Sequence, residues 1–289
     1  MRMRPFTHLK PRTLQEAISL LEQYNGKAKI IAGGTELVNL MKEKLISPEY
    51  LIDITYVPGL DKIGCDATGG LKIGALCPLS DIESSSLLKD KYDALARAVQ
   101  TIGSVQVRNL GTIGGNLCHA SPSADSAPIL IGLEARAWIF GSAGEREVEL
   151  KNFFTGPGQT VLKPEEILVR LEVPTPPPRF AAIYLKQSPR RAMDLAVVGV
   201  AVVLSFAPDH SLADVRIVLG AVAPTPIRAV QAEALLRGKK PASGLISEAA
   251  RVAAEEARPI SDVRSSKEYR KDMVDVLTAR ALQQTLAQA

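Results

Sequence analysis

Five residues near the middle of the chain, Pro174-Thr175-Pro176-Pro177-Pro178, restrict the fold more than any other segment. Proline has no amide proton and a fixed φ, so neither a helix interior nor a central strand can run through this stretch. A triple proline is stiff and extended, and it reads as a boundary between independently packed units. The 289 residues, 46% of them apolar, are enough for two or three such units. No repeat of fixed period interrupts this division.

Before the prolines the rhythm is first β/α. Thr13-Leu14-Gln15-Glu16 has the form of a capping box, and Leu14, Ile18 and Leu21 mark one helical face that ends near Asn25-Gly26. A strand over 28–32, a Gly-Gly turn, a helix over 35–44 and a strand over 50–54 follow. Residues 60–80 read as short strands with glycine turns. Helices are expected over 81–88, 92–101 and 125–133. A Gly-rich loop over 110–117 lies between them. A strand over 135–140, a hairpin turn at 141–145, a short strand over 148–150 and an alternating strand over 166–173 complete the half. After the prolines, strand-like runs at 181–186, 195–205 and 214–222 precede helices near 229–236, 247–257 and 267–286. Strands followed by helices in blocks argue an α+β terminal domain.

Composition excludes several classes. The net charge of +4, from 35 basic and 31 acidic residues, is scattered and gives no basic stripe for nucleic acid. No run reaches the roughly 18 apolar residues of a membrane span, and a cytoplasmic protein is expected. The three cysteines, Cys65, Cys77 and Cys118, form no C-x-x-C pair. They are read as reduced thiols, and neither zinc nor a chain-encoded iron–sulfur cluster is expected.

Two Gly-Gly segments carry the chemistry. Ile31-Ala32-Gly33-Gly34-Thr35-Glu36-Leu37 joins a strand to a helix. Such a turn lets backbone approach a ligand and points amides and a helix dipole at it, which suits a pyrophosphate. It has neither the dinucleotide G-x-G-x-x-G spacing nor a Walker lysine, and a plain tight turn would also explain it. Thr112-Ile113-Gly114-Gly115-Asn116 is the second, with exposed amides expected and Thr112 and Asn116 as further side-chain donors. Two such loops suit a diphosphate gripped from both sides. Asp125, in Ser121-Pro122-Ser123-Ala124-Asp125, is either an acceptor for a sugar or ribityl hydroxyl or a helix N-cap.

Together these segments resemble the FAD-binding medium subunits of the molybdenum hydroxylases, the family of aerobic carbon monoxide dehydrogenase and xanthine dehydrogenase. That family shows an AGGT-acid loop, then TIGGN, then Ser-Pro-x-x-Asp. Phe153-Phe154-Thr155-Gly156, Pro164-Glu165-Glu166-Ile167-Leu168, Tyr184-Leu185-Lys186, Arg190 and Asp194 extend the resemblance over nearly the whole chain. Glu36 stands where many relatives have Asp.

The resemblance implies an α+β fold: a two-part FAD-binding domain of the vanillyl-alcohol-oxidase-like type (1–58 and 59–176) and a C-terminal sheet-and-helices domain (177–289). It implies that Ala32–Glu36 and Thr112–Asn116 wrap the FAD pyrophosphate, with Ile31 and Leu37 flanking the first loop. Asp125 would hold a sugar-chain hydroxyl and Leu168 would pack on the flavin. Lys186 would lie near the pyrimidine end of the ring, Tyr184 over one face and Ile102 beside it. Ordinary core packing is the competing reading for Ile31, Leu37, Leu168 and Ile102, and a surface ammonium for Lys186. The family binds FAD noncovalently, which argues against a flavin linked through Cys118 or His119. The implied partners are a small 2Fe–2S subunit and a large molybdopterin subunit, in a dimer of heterotrimers. Two other classes stay open: a stand-alone FAD-dependent oxidoreductase, which would need an acid–base pair beside the loops, and a non-catalytic nucleotide-binding assembly module.

Overall fold

In the computed structural model, which describes residues 3–190 and 192–288, the capping box at Thr13 starts a helix over Leu14–Gln23. The Thr13 hydroxyl accepts from the Glu16 amide at 3.1 Å, while the Glu16 carboxylate accepts from the Arg12 amide at 2.7 Å. The helix buries Ala17, Ile18 and Leu21. It packs on a parallel three-stranded sheet in which Tyr50–Asp53 lies between Thr7–Leu9 and Ala28–Ile31. The helix expected over 35–44 is shorter, Leu37–Lys42. This leaves residues 32–36 as open loop.

A five-stranded antiparallel sheet follows, in the order Ile63–Cys65, Leu71–Gly74, Ile167–Val173, Arg136–Gly141 and Gly144–Glu149. Its third strand, the last in sequence, carries a bulge between Leu168 and Arg170. One extra residue reverses the in/out alternation. Ile167 and Val169 therefore join the core of the three-stranded unit, with Ile18 and Ile52, while Leu168, Leu171 and Val173 join the main core on the other side. That core also holds the helices Leu79–Ser84, Asp93–Gln100, Ile113–His119 and Ser126–Gly132. The stretch expected as a Gly-rich loop, 110–117, is instead the end of one helix, Val105–Leu110, and most of another, Ile113–His119. Ser104 and Thr112 each cap the following helix, accepting from the amides of Val107 and Gly115.

Beyond the prolines, Phe180–Gln187, Val198–Phe206, Leu212–Gly220 and Ile227–Arg228 form an antiparallel sheet in that order. One face carries Val198, Val200, Val202 and Leu204 against the helices Val230–Leu236, Ser243–Glu256 and Lys267–Leu286. The other face, with Ala201, Val203 and Val218, belongs to the main core. Glycines permit the close approach. A Cβ at Gly132 would sit 3.0 Å from Val203 and one at Gly220 2.8 Å from the Pro128 ring. A strand covered on both faces needs apolar residues at every position, which explains the unbroken apolar run. The strand begins at Val198, three residues later than expected, and Leu195 is exposed. Tyr184 and Lys186 are two residues apart on the edge strand, so both face the first half of the chain.

Candidate functional site

The first Gly-Gly loop packs against residues 110–111, which lead directly into the second segment. A Cβ on Gly33 would lie 1.8 Å from the Leu110 carbonyl oxygen, so only glycine lets the first loop press against the end of the Val105–Leu110 helix. One on Gly111 would come within 3.5 Å of the Thr35 hydroxyl. His119 Nε2, at the end of the helix Ile113–His119, lies 3.7 Å from Glu36 Oε1 of the first loop. Gly34 has φ +69°, a left-handed conformation that costs most side chains energy. Among the described residues, the amides of Gly33, Gly34, Thr35 and Glu36 donate to no acceptor in the chain. Unpaired amides beside a glycine turn suit an anion.

The second loop differs from its expectation. The Ile113 amide donates to the Cys77 carbonyl at 3.0 Å and the Gly114 amide to that of Ala75 at 2.8 Å. The Gly115 amide is taken by the Thr112 hydroxyl and that of Asn116 by the Thr112 carbonyl. The exposed amides read from the sequence are therefore consumed, because the first helical turn docks on residues 75–78. Gly114 serves that docking, since a Cβ there would fall 2.6 Å from the Ala75 oxygen. Gly115 is exposed, and its Cβ would meet only the Thr112 hydroxyl, at 3.0 Å. Asn116 Oδ1 accepts from Ser126 at 2.6 Å, which leaves its amide N–H groups as donors. The second segment thus offers an open glycine and side-chain donors, not a ring of free amides.

Ser126 ties this segment to Asp125, its neighbour. Asp125 occupies the N-cap position of Ser126–Gly132, but its side chain makes no capping bond. The Tyr184 hydroxyl donates to its Oδ1 and Lys186 Nζ to its Oδ2, each at 2.7 Å. Lys186 also donates to the Thr101 carbonyl at 3.0 Å, beside Ile102. Asp125 and Lys186 side chains are 6% and 8% exposed, so Lys186 is no surface ammonium. Burial raises the Asp125 pKa, against the opposing pull of Lys186 and the Tyr184 hydroxyl. Burial, then the Asp125 charge, pushes the Tyr184 phenol well above its ordinary value.

The remaining predicted residues lie on other segments. Ile31, Ala32 and Leu37 are half-buried at the first loop and Ile102 at the turn before Ser104. Leu168 is fully packed in the main core, 3% exposed. Sequence reasoning missed Arg108, which holds the 101–104 turn by donating to the Ile102 carbonyl at 3.0 Å and to Glu83 at 2.7 Å. It also missed Thr101. A helix recognised over 105–110 would have flagged Arg108 as a cation on its inward face. Burial pushes the Cys77 and Cys118 thiols up to about 12, so neither is a thiolate near neutral pH.

Residues 4–176 match the family described as the FAD binding domain in molybdopterin dehydrogenase. Residues 183–285 match the CO dehydrogenase flavoprotein C-terminal domain. The chain belongs to the FAD-binding medium subunits of the molybdenum hydroxylases. The medium chain of glyceraldehyde dehydrogenase from Sulfolobus acidocaldarius is 33% identical over 279 residues, covering 96% of this chain and 98% of that one. The carbon monoxide dehydrogenase medium chain of Hydrogenophaga pseudoflava is 34% identical, covering 96% of each. A solved carbon monoxide dehydrogenase from that organism superposes with a TM-score of 0.96 at 34% identity, over 100% of both chains. Quinoline 2-oxidoreductase from Pseudomonas putida 86 gives 0.93 at 31%, over 100% of this chain and 99% of that one. The FAD-binding domain of this oxidoreductase subunit is thus followed by a C-terminal domain. Among the described residues no helix is long and apolar enough to cross a membrane.

The residues fit FAD. The unpaired amides at 33–36 and the Asn116 donors suit a diphosphate, and the open Cβ position of Gly115 leaves room beside them.

Proposed function

We propose that this flavoprotein is the electron-transfer subunit of a three-component complex. A large molybdopterin subunit oxidises the organic substrate, and a small subunit with 2Fe–2S clusters passes single electrons onward. FAD on this chain supplies the chemistry of collecting electrons singly and releasing them in pairs to an external acceptor. The assembly is a cytoplasmic dimer of such heterotrimers.

The packing of the first glycine loop, with its unpaired amides, against residues 110–111 at the head of the second segment is the observation that carries this reading. The first loop donates amides to the pyrophosphate, with Ile31 and Leu37 at its edges. Asn116 and Thr112 contribute from the other side, and Gly115 gives clearance. Asp125 has lone pairs left to accept from a ribityl hydroxyl, and Lys186 places a cation towards the ring, where it favours added negative charge. Ile102 and Tyr184 border that region. Leu168, buried behind it, supports the flavin wall. FAD is held noncovalently, consistent with protonated thiols at Cys77 and Cys118.

Electrons come from a partner, not from a substrate bound here. Among the described residues no three His, Cys, Asp or Glu side chains converge as metal ligands. Asp125 is already paired with Lys186, and the His119–Glu36 pair beside the first loop is an open surface contact, with side chains 39% and 51% exposed, not an enclosed acid–base pair.

The test is anaerobic reduction followed at the flavin absorbance. Carbon monoxide, xanthine, aldehydes and aromatic acyl thioesters are offered to the pure chain and to the copurified complex. Bleaching is expected in the complex alone, and rapid bleaching of the pure chain by any of them would assign it a substrate site of its own.

A further inference from the structure

The Tyr184 hydroxyl is set in a space made for it. Tyr184 and Gly199 are on paired strands, with Tyr184 opposite Ala201 and Lys186 opposite Gly199. A Cβ at Gly199 would lie 2.5 Å from the Tyr184 hydroxyl oxygen and 3.1 Å from its ring. Any other residue at 199 would push the phenol off its partner. That partner is Asp125, on a different domain, and the same carboxylate binds Lys186 through its other oxygen. Two of the three Lys186 N–H groups are therefore committed, to Asp125 and to the Thr101 carbonyl. The third meets no acceptor among the described residues.

We propose that Tyr184 is a positioning residue: its hydroxyl, lodged in the space Gly199 leaves, fixes the Asp125 carboxylate, which with the Thr101 carbonyl holds the Lys186 ammonium so that its third N–H is presented to the bound flavin. This rests on the reading that Lys186 faces the ring. A buried carboxylate is costly unless its lone pairs are satisfied. Its two donors, Tyr184 and Lys186, both come from the edge strand, while the uncharged Thr101 hydroxyl at the end of Asp93–Gln100 donates to the Ala98 carbonyl. Without the phenol hydroxyl the carboxylate is held by fewer donors, and it takes up a proton at higher pH. The pair then changes from net neutral to net positive, and the cation acts on the flavin uncompensated.

The experiment uses the FAD-loaded full chain, unsubstituted, Tyr184→Phe and Gly199→Ala. Tyr184→Phe keeps the packing of the ring, and Gly199→Ala keeps the phenol but evicts its hydroxyl. Two quantities are followed against pH: the carboxyl-carbon resonance of Asp125 in aspartate-labelled protein, and the flavin midpoint potential. Loss of one hydrogen bond to a charged group moves the Asp125 titration up by about one pH unit or more. The potential of both variants should turn at the same shifted pH and lie above that of the unsubstituted chain on its acid side. An Asp125 titration unmoved in Tyr184→Phe would overturn the role of Tyr184 alone. A moved titration with an unchanged potential would overturn the proposal at its premise about Lys186. An unsubstituted chain that takes up no FAD would overturn the functional reading as well.

Discussion

Gly33→Ala adds one methyl group at the point where the first glycine loop touches Leu110 and Gly111. The added carbon would lie 1.8 Å from the Leu110 oxygen and 2.6 Å from its carbonyl carbon, both backbone atoms that no rotamer change can remove. Restoring an ordinary carbon–oxygen separation of about 3.3 Å requires one loop to retreat by roughly 1.5 Å. Overpacking of this kind costs about 1–3 kcal/mol, and for a chain of this size about 2–4 °C of melting temperature per kcal/mol. The same retreat takes the free amides of 33–36 away from Asn116, so flavin occupancy falls too. Gly115→Ala is the control. Its methyl group would meet only the Thr112 hydroxyl, at 3.0 Å, and otherwise points into open space. Stability should change by less than about 1 kcal/mol while FAD affinity drops at least tenfold. Denaturant titration of the flavin-free proteins and the flavin-to-protein ratio after gel filtration separate the two effects. A Gly33→Ala chain of unchanged stability and full occupancy would refute the contact. A Gly115→Ala chain of full occupancy would remove the second loop from the site.

Gly34→Val should lose both FAD and stability, by about 1–2 kcal/mol or more, since a β-branched residue is forced to φ +69° with Ile31 and Val38 at 3.3 Å; calorimetry with and without FAD reads it. Lys186→Met should keep FAD yet lower the flavin midpoint potential by tens of millivolts, on the order expected for a partly neutralised cation; an unchanged potential would take Lys186 away from the ring. Arg146→Met should flatten the acid limb of stability. The Arg146 guanidinium, through its hydrogen bonds, holds the Glu166 carboxyl below its usual range. A depressed carboxylate adds stability above its unfolded value of about 4.3, lost as pH falls through the lower folded value. The substitution should cost about 2 kcal/mol at pH 7, below the ~3–5 kcal/mol of a fully buried pair because Arg146 is 38% exposed, and denaturation midpoints measured from pH 7 to pH 3 would converge with those of the parent.

Much of this architecture is legible in the chain because local chemistry and global packing agree. The capping box at Thr13, the Gly33-Gly34 turn and the apolar run ending at Leu204 each announce an element that tertiary contacts then keep. The second glycine segment misleads for a physical reason. Glycine in sequence says that a Cβ is unwelcome, not whether a ligand or the protein's own backbone stands there. At Gly115 nothing but a hydroxyl stands nearby, whereas at Gly114 it is the carbonyl of Ala75. The helix over Ile113–His119 is hidden for a related reason, since two glycines near its start suppress helix propensity and only docking on residues 75–78 restores it. The bulge at Leu168–Arg170 left no signal, because the apolar residues on both sides of it are buried whichever way they face.

The Asp125 cluster was half legible. Asp125, Tyr184 and Lys186 are all candidates in the sequence, but as separate contacts to a cofactor and without Thr101, because sequence separates Asp125 from Lys186 by 61 positions and a proline boundary. What joins them is the double burial of the Val198–Phe206 strand. A sheet with helices on one side only would leave Tyr184 and Lys186 facing solvent. Here the helix Ser126–Gly132 covers the second face, brought close by Gly132 and Gly220, and Asp125 stands at the start of that helix. The same packing that makes the strand apolar at every position delivers a carboxylate to the two polar groups on its neighbour. The buried Lys186 ammonium is thus a product of how the C-terminal sheet docks, and residues 4–176 alone do not contain it.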